Sequence, residues 1–368
     1  MEVWLDQSLL SSLRERMPWL LANRVLKAVG LSTSQGWDRT SEALASVDHA
    51  YAERELRRFL EEHILCGEKM TKFYAVGNEG RAALAEAISK APLGQGPFAS
   101  SYPLLLDEQA LGEAGLDPEL VQIVRNAEGV GAVFASCVNL TTRETISTAQ
   151  LDEHSALRTQ FDEIVGLRYR PVQLFAVVWV HSRHNVVEVR TDFPRGMTQE
   201  LAHQLQSQYR KAVNMLIGQD ILVRPVDLYP LVWSMYSDAS EGKVVQLTFN
   251  TSTGSVKDER MRRTRLCLRE ELYHVGGVNA LSQDIQPFHV SIQWHLSADG
   301  LLLAPELTLA GTSRGAHKVG GGSGEPVISA ALIKDCLGTE DYEYVSERVL
   351  EHLRRLTPAE PAAATAVG

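Results

Sequence analysis

The sequence lacks several features that mark specialised classes of protein. It contains no apolar run approaching the ~18 residues of a transmembrane helix, so no membrane association is expected. Residues 1–10 carry Glu2 and Asp6 and no basic segment followed by an apolar one, which argues against a signal peptide. The cysteines are few and too widely spaced for a disulfide scaffold: Cys66, Cys137, Cys267 and Cys336. These absences predict reduced thiols and a cytoplasmic location.

The chain also lacks an excess of positive charge. It has 36 Lys and Arg residues against 46 Asp and Glu residues, a formal net charge of −10 at pH 7. This balance argues against a protein coated in positive potential, although a local basic patch can exist on an acidic chain. Hydrophobic residues (44%) and charged residues (22%) are near the levels of globular proteins, and 368 residues are enough for two or three domains.

Residues 1–92 are predicted to form a helical domain. Apolar residues recur at helical spacing in Tyr51–Leu65, and the opposite face of that helix is charged. Shorter helices are predicted before it, at Leu5–Arg14 and Trp19–Val29. A short strand is expected after it, at Thr71–Val76, and is followed by a helix at Arg81–Ser89. A winged-helix module and a helical bundle with a β-arm both fit this order. We favour the bundle, because no recognition helix is evident.

The remainder divides into a connecting region, an antiparallel α+β part and a tail. Residues 93–128 are rich in Gly and Pro and are expected to connect the two domains. Residues 129–356 are predicted to form either one α+β domain or two halves that meet near 220–240, and residues 357–368 are expected to be a disordered tail. The strand pairs are Ala132–Asn139 with Thr141–Ser147, Val172–Val180 with Val186–Asp192, Lys243–Asn250 with the basic segment after it, and Phe288–His295 with Leu301–Leu309.

These patterns predict an α+β fold, in which a helical N-terminal domain precedes an antiparallel sheet built from repeated β-hairpin–helix units. The helices after the hairpins are expected at 152–164, 201–216 and 342–356, packed on one side of the sheet. Residues Leu174–Val180 are apolar on both faces, which is typical of a central strand that is covered from both sides.

Three short motifs resemble catalytic or ligand-binding signatures without the context that these need. Gly311–Gly315 fits G-x-S-x-G around Ser313, but the preceding strand is expected in an antiparallel hairpin and no helix follows. The Gly-rich segment 318–324 lacks the closing Lys and Ser/Thr of a phosphate-binding loop. His181 and His184 lie in a predicted turn with no nearby Cys or carboxylate to complete a metal site. No cofactor or metal is therefore expected.

The segment around Glu241 supports an alternative, enzymatic hypothesis. Asp238, Glu241 and Lys243 imitate the end of a metal-dependent nuclease core, in which carboxylates hold magnesium. Gly242 indicates a turn at this point instead, and catalytic residues are left unassigned.

An arginine-rich segment is the least ordinary feature. Residues 243–270 contain seven basic and three acidic residues on an otherwise acidic chain. Arginine suits bidentate contacts to phosphate or carboxylate, so nucleic acid or an acidic protein is the expected partner. The alternative is a solvated face whose cations pair with nearby acids. The candidate binding residues are Lys257, Arg260, Arg262, Arg263, Arg265 and Arg269.

A polar sheet face is expected beside this segment if the hairpins at 243–250 and 288–309 pair with each other. It would carry Gln246, Thr248, Asn250, His289, Ser291, Gln293 and His295. The hypothesis we favour is a non-catalytic binding or assembly subunit that uses both features, because no dense acid/base cluster is present. The alternative is a hydrolase or metal-dependent nuclease.

Overall fold

The computed structural model describes residues 6–44, 50–147, 156, 160–262, 266–298, 301–312 and 327–356. The predicted tail 357–368, Ser313 and the Gly-rich segment 318–324 lie outside these residues. The helices are α1 (Gln7–Arg16), α2 (Trp19–Ala28), α3 (Gly36–Leu44), α4 (Ala50–Cys66), α5 (Asn78–Lys90), α6 (Pro97–Ser101), α7 (Glu108–Glu113), α8 (Gln199–Ile217), α9 (Tyr229–Ser237), α10 (Leu272–Asn279) and α11 (Thr339–Leu356).

The strands are β1 (Lys69–Ala75), β2 (Glu119–Asn126), β3 (Gly129–Ile146), β4 (Ile164–His181), β5 (Val186–Asp192), β6 (Lys243–Asn250), β7 (Val256–Arg260), β8 (Gln286–Gln293), β9 (Leu296–Ala298), β10 (Leu301–Leu303), β11 (Glu306–Ala310) and β12 (Ala331–Lys334). Ten of them form one antiparallel sheet in the order β2-β3-β4-β5-β1-β12-β11-β8-β6-β7, and β9 pairs with β10. The predicted α+β class with an antiparallel sheet is confirmed. Among the described helices, none combines the length and the apolar character needed to cross a bilayer.

Strand β1 lies near the middle of the sheet, between β5 and β12. Thr71 is paired with Arg190 of β5 on one side and with Ala331 of β12 on the other. The segment 1–92, predicted as a separate helical domain, therefore supplies a central strand. The segment 93–128, predicted as a connection, contributes the edge strand β2. One sheet thus contains strands from residues 1–92, 93–128 and 129–356.

Apolar side chains on both faces of the sheet hold the helices. Helices α1, α2 and α4 pack on one face of strands β2–β4, through a cluster that includes Phe175 and Val177. Helices α5 and α8 pack on the opposite face, through a cluster that includes Ala176 and Val178. Residues 174–180 are therefore covered from both sides, as their sequence predicts. Strands β6, β8 and β11 are covered on one face by α9 and α11.

Strands β3 and β4 are longer than the sequence predicts. The two strands expected at Ala132–Asn139 and Thr141–Ser147 are one 18-residue strand, β3. Its partner β4 is equally long, and Ile146 is paired with Ile164 at the outer end. The prediction of a helix over 152–164 is wrong at its C-terminal end, because residue 164 begins β4. Most of the other residues of that predicted helix lie outside the described part of the chain. The polar residues after Leu140 resemble those of a turn in sequence, but they continue β3 and pair with β4.

Local signals set the ends of the longest described helix, α8. The side chain of Thr198 accepts a hydrogen bond from the Leu201 N–H at its start, as an N-cap residue does. Gly218 ends it with φ of 71°, the left-handed conformation that glycine adopts without strain. The apolar stripe between these caps faces the sheet, which confirms the helix predicted over 201–216.

A buried cluster of charges joins α1 to the centre of the sheet. Arg16 donates two hydrogen bonds to Asp192, at 2.8 and 3.0 Å, and Lys69 Nζ lies 2.5 Å from the same carboxylate. The Phe175 N–H donates a further hydrogen bond to it at 2.7 Å. Burial opposes ionisation of Asp192, but Arg16 and Lys69 outweigh it and hold the pKa of the carboxyl well below its usual range. Asp192 therefore connects α1, β1, β4 and β5.

We expect Asp192→Asn to lower the free energy of unfolding by about 3–5 kcal/mol, because it leaves two buried cations without their counter-charge. Glu15→Gln is the matched control, since Glu15 forms an exposed ion pair with Arg170 at 2.7 Å, and it should cost less than about 1 kcal/mol. Urea unfolding at pH 7 measures both values. Equal midpoints for the two variants would contradict this assignment.

Candidate functional site

Two of the predicted binding residues lie on the edge strand of the sheet, but they do not share one face. Lys257 and Arg260 lie on the edge strand β7, paired with Phe249 and Gln246 of β6, so their side chains leave opposite faces. Both are exposed, as is Arg262 in the loop that follows. Arg263 and Arg265 lie outside the described residues.

Arg269 has an internal role, contrary to its expected place on the binding surface. Its guanidinium donates to the backbone carbonyls of Tyr236 (2.6 Å), Met235 (2.8 Å) and Gly242 (2.9 Å). Two of these carbonyls belong to the last turn of α9, whose final C=O groups have no partner within the helix. The planar guanidinium therefore closes the end of α9 and holds the start of β6 against it.

The predicted polar sheet face is formed, because β6 and β8 are neighbours. Thr248 is paired with His289 and Gln246 with Ser291. Two of these side chains donate to Asp258 of β7, Gln246 at 3.1 Å and Thr248 at 2.9 Å. Asn250, Ser291 and Gln293 are buried, and His295 is exposed beyond the end of β8.

Large apolar side chains are exposed next to the basic residues. Leu266 is 61% exposed, Leu272 86% and Tyr273 79%. The next residue, His274, fixes the start of α10 against the sheet, since its Nδ1 lies 2.5 Å from Glu259 Oε2 of β7. We call this part of the molecule the sheet-edge surface: Lys257, Arg262, Leu266, Leu272 and Tyr273. Arg260 is not part of it, because its side chain leaves the opposite face of β7.

Glu241 is a buried hub of hydrogen bonds. Arg348 Nε donates to Glu241 Oε1 at 2.8 Å, His352 Nε2 lies 3.0 Å from the same oxygen, and Trp294 Nε1 donates to Oε2 at 3.2 Å. Burial alone would raise the pKa of Glu241, but hydrogen bonds from His352 and Arg348 hold it at about 2. One oxygen of Asp238 also lies within 4.8 Å of Glu241 and His352, so these three could in principle share an ion. A metal ion would have to displace Arg348, whose charge already neutralises the carboxylate.

Ser234 extends the Glu241 hub into a serine–histidine–glutamate chain. Its hydroxyl lies 2.7 Å from His352 Nδ1. Because a carboxylate only accepts, His352 Nε2 carries the proton toward Glu241, and in the neutral ring Nδ1 accepts from Ser234. Such a chain can polarise a hydroxyl, as in serine hydrolases, although there the serine and the acid bond the opposite ring nitrogens. It also joins α9 to α11.

His181 and His184 lie at the turn between β4 and β5, as predicted, but His181 is buried and both rings have carboxylate partners. His181 Nε2 lies 2.7 Å from Glu188 Oε1, and His184 Nε2 lies 2.8 Å from Glu347 Oε2. Arg190 Nε donates to Glu188 Oε2 at 2.7 Å. Burial would raise the pKa of Glu188, but Arg190 and His181 outweigh it and hold it at about 2. The interpretation of a fully solvated turn is therefore wrong for His181.

A cleft of about 650 Å³ opens between α1, α7 and the strands β4 and β5. Arg16 and Asp192 of the buried charge cluster line it, together with Gln173. The sequence does not indicate this cleft, because its residues come from segments that are far apart in the chain. A single Arg or Gln in such a segment is indistinguishable from an ordinary surface residue.

Comparison with known proteins adds no assignment: no protein-family model, curated protein or solved structure matches the chain.

We expect Glu241→Gln to destabilise the fold by about 3–5 kcal/mol at pH 7, because it removes the counter-charge of Arg348 from a buried site. The pKa of Glu241 falls from 4.5 to about 2 on folding. Its ionised form therefore stabilises the fold above pH 4.5, and this contribution disappears as the pH falls toward 2. The difference in the free energy of unfolding between wild type and variant should therefore become smaller as the pH falls from 4.5 toward 2.

Urea unfolding between pH 3 and 7 measures this difference. Glu128→Gln removes a surface ion pair with Arg183 and serves as the control; it should cost less than about 1 kcal/mol throughout. A Glu241→Gln cost that is small at pH 7, or that grows as the pH falls, would contradict the hub assignment.

Proposed function

We propose that the protein is a non-catalytic binding subunit that docks an acidic protein partner on the sheet-edge surface. The observation that carries this proposal is that Leu272 and Tyr273, both largely exposed, directly precede His274, which contacts Glu259 on the same face of β7 as the exposed Lys257. Protein interfaces combine an aromatic or aliphatic centre with Arg and a polar rim.

Charge favours an acidic partner. Residues 257–265 carry five basic and two acidic residues, an excess that the rest of the chain does not share. Cations at the rim of an interface steer an oppositely charged partner and raise the association rate.

A protein partner is favoured over nucleic acid for two reasons. Arg269 is occupied by backbone carbonyls, and Arg260 donates to Gln246 at 2.8 Å beside Asp258, so fewer cations are free for phosphate than the sequence implies. A nucleic-acid surface is also typically more polar than one centred on Leu266, Leu272 and Tyr273.

Co-purification from an extract of the source cells tests the proposal. We expect wild-type protein to retain one partner stoichiometrically, and the Leu272→Ser/Tyr273→Ser variant to lose it. The control is Leu302→Ser, since Leu302 is 71% exposed but lies on β10, away from the sheet-edge surface. With the purified partner, the double variant should bind at least about tenfold more weakly, as expected when an aromatic anchor is truncated.

Charge reversal distinguishes the two partner classes. Lys257→Glu/Arg262→Glu should weaken binding of the purified partner most strongly at low salt. Binding of nucleic acid is measured separately, by fluorescence anisotropy with 30-nucleotide single-stranded and duplex DNA and RNA at about 50 mM salt. If nucleic acid binds, and binding depends on these cations but not on Leu272 and Tyr273, the partner is nucleic acid and not a protein. The proposal would be overturned if wild-type protein and the Leu272→Ser/Tyr273→Ser variant retained the same molecules in the co-purification.

The Ser234–His352–Glu241 chain is the one observation in favour of the alternative, a hydrolase. We expect a fluorophosphonate probe at pH 8 to leave Ser234 unlabelled, because Arg348 neutralises Glu241 and weakens the support that it gives His352 as a base. Mass spectrometry locates any label. Labelling that is lost in Ser234→Ala and kept in Ser237→Ala would establish a reactive serine, and with it the hydrolase.

A further inference from the structure

The cleft beside α1 has the size and lining of a small-molecule site. Its volume of about 650 Å³ falls within the range of roughly 300–1,000 Å³ typical of ligand pockets. No residue of the sheet-edge surface lines it, so it is a separate feature of the molecule. Its apolar lining includes Met17, Leu21, Leu111, Leu174 and Phe193.

The buried charge cluster that borders the cleft has an excess of positive charge. Arg16, which lines the cleft, and Lys69, which does not, share one carboxylate, that of Asp192. Burial lowers the pKa of Lys69 to about 8, so the amine is still mostly protonated at pH 7. Burial and the neighbouring Arg16 lower the pKa of His63 to about 3, so this ring is neutral there. Two cations thus face a single anion in a site with little water to screen them.

Two hydrogen-bond donors on residues that line the cleft have no acceptor among the described residues. They are Arg16 Nε and Gln173 Nε2, both on side chains that are more than nine-tenths buried. The other end of Gln173 is fixed, because its Oε1 accepts from the Leu106 N–H at 2.9 Å. An unsatisfied buried donor costs about 1–3 kcal/mol, which makes such groups rare and in need of an explanation. Neither nitrogen can accept, so both require an acceptor.

Charges elsewhere on the cleft limit the ligand to one negative group. Arg195 lines the cleft, is exposed and forms no ion pair with any described residue, so it can face an anion. Glu68 and Asp335 line it too; burial raises the pKa of both carboxyls, and Asp335 raises that of Glu68 further. A second negative charge on a ligand would meet this repulsion.

We propose that the cleft binds an organic monocarboxylate with an apolar body. The carboxylate accepts hydrogen bonds from Arg16 and Gln173 and faces Arg195, and the body lies against the apolar lining. This site is independent of the partner surface proposed above, and either can exist without the other.

Isothermal titration calorimetry at pH 7 with a matched set of probes tests the ligand class. Butanoate, octanoate and phenylacetate are the monocarboxylates. Octanamide keeps the apolar chain of octanoate and removes its charge, and octanedioate adds a second carboxylate at the far end. We expect at least one monocarboxylate to bind, and octanamide and octanedioate to bind at least about tenfold more weakly than octanoate.

Two variants test whether the carboxylate of the ligand binds in the cleft. Gln173→Glu keeps the acceptor for the Leu106 N–H, removes the donor and adds a negative charge, so it should abolish binding. Arg195→Ala should weaken binding about tenfold, as the loss of one charge-assisted contact does. Arg224→Ala is its control, since Arg224 is exposed and lies outside the cleft, and it should bind like wild type.

Three results would overturn the proposal. One is that none of the three monocarboxylates binds the wild-type protein. Another is that octanamide binds as tightly as octanoate, which would indicate apolar adsorption only. The third is that Arg195→Ala, which changes an exposed residue and should leave the fold intact, binds as tightly as Arg224→Ala.

Discussion

The Asp192 carboxylate is the contact on which the arrangement of the N-terminal half depends. It lies at the end of β5, receives Lys69 from β1 and Arg16 from α1, and accepts the Phe175 N–H of β4. Burying three charges is favourable only when each has a close partner in a fixed geometry. The position of α1 over the sheet and the order β4-β5-β1 are therefore linked, and the same contact holds Arg16 where it lines the cleft beside α1.

The charged residues of the C-terminal half divide into internal and external groups. Arg269 and Arg348 are used inside the fold, the first on carbonyl groups and the second on Glu241. Lys257 and Arg262 remain exposed beside Leu272 and Tyr273. The two candidate surfaces accordingly differ in character: the sheet edge is open and apolar at its centre, whereas the cleft is concave and has its charge at the floor.

The periodicity of apolar residues was sufficient to predict the fold class and most elements that have one clearly apolar face, such as α4, α8 and β6. It is sufficient there because the local pattern indicates which face is buried. It failed where long-range pairing decides the outcome. β1 reads as an isolated arm, since nothing in residues 69–75 indicates partners at 186–192 and 331–333. The same limit applies to function: the Arg269 guanidinium and the Glu241 hub are defined by groups tens of residues away, and charge alone does not distinguish a helix cap from a binding residue.

The central position of β1 has a consequence for biosynthesis. Its outer neighbour β12 begins at Ala331, about 250 residues after β1 ends, so a ribosome working at about 5–20 residues per second completes that ladder only after roughly 13–50 s. Until then one edge of a central strand and the apolar residues beside it have no permanent cover. An unpaired edge of a central strand is a template for pairing with other chains, so the risk of aggregation is greatest in this interval.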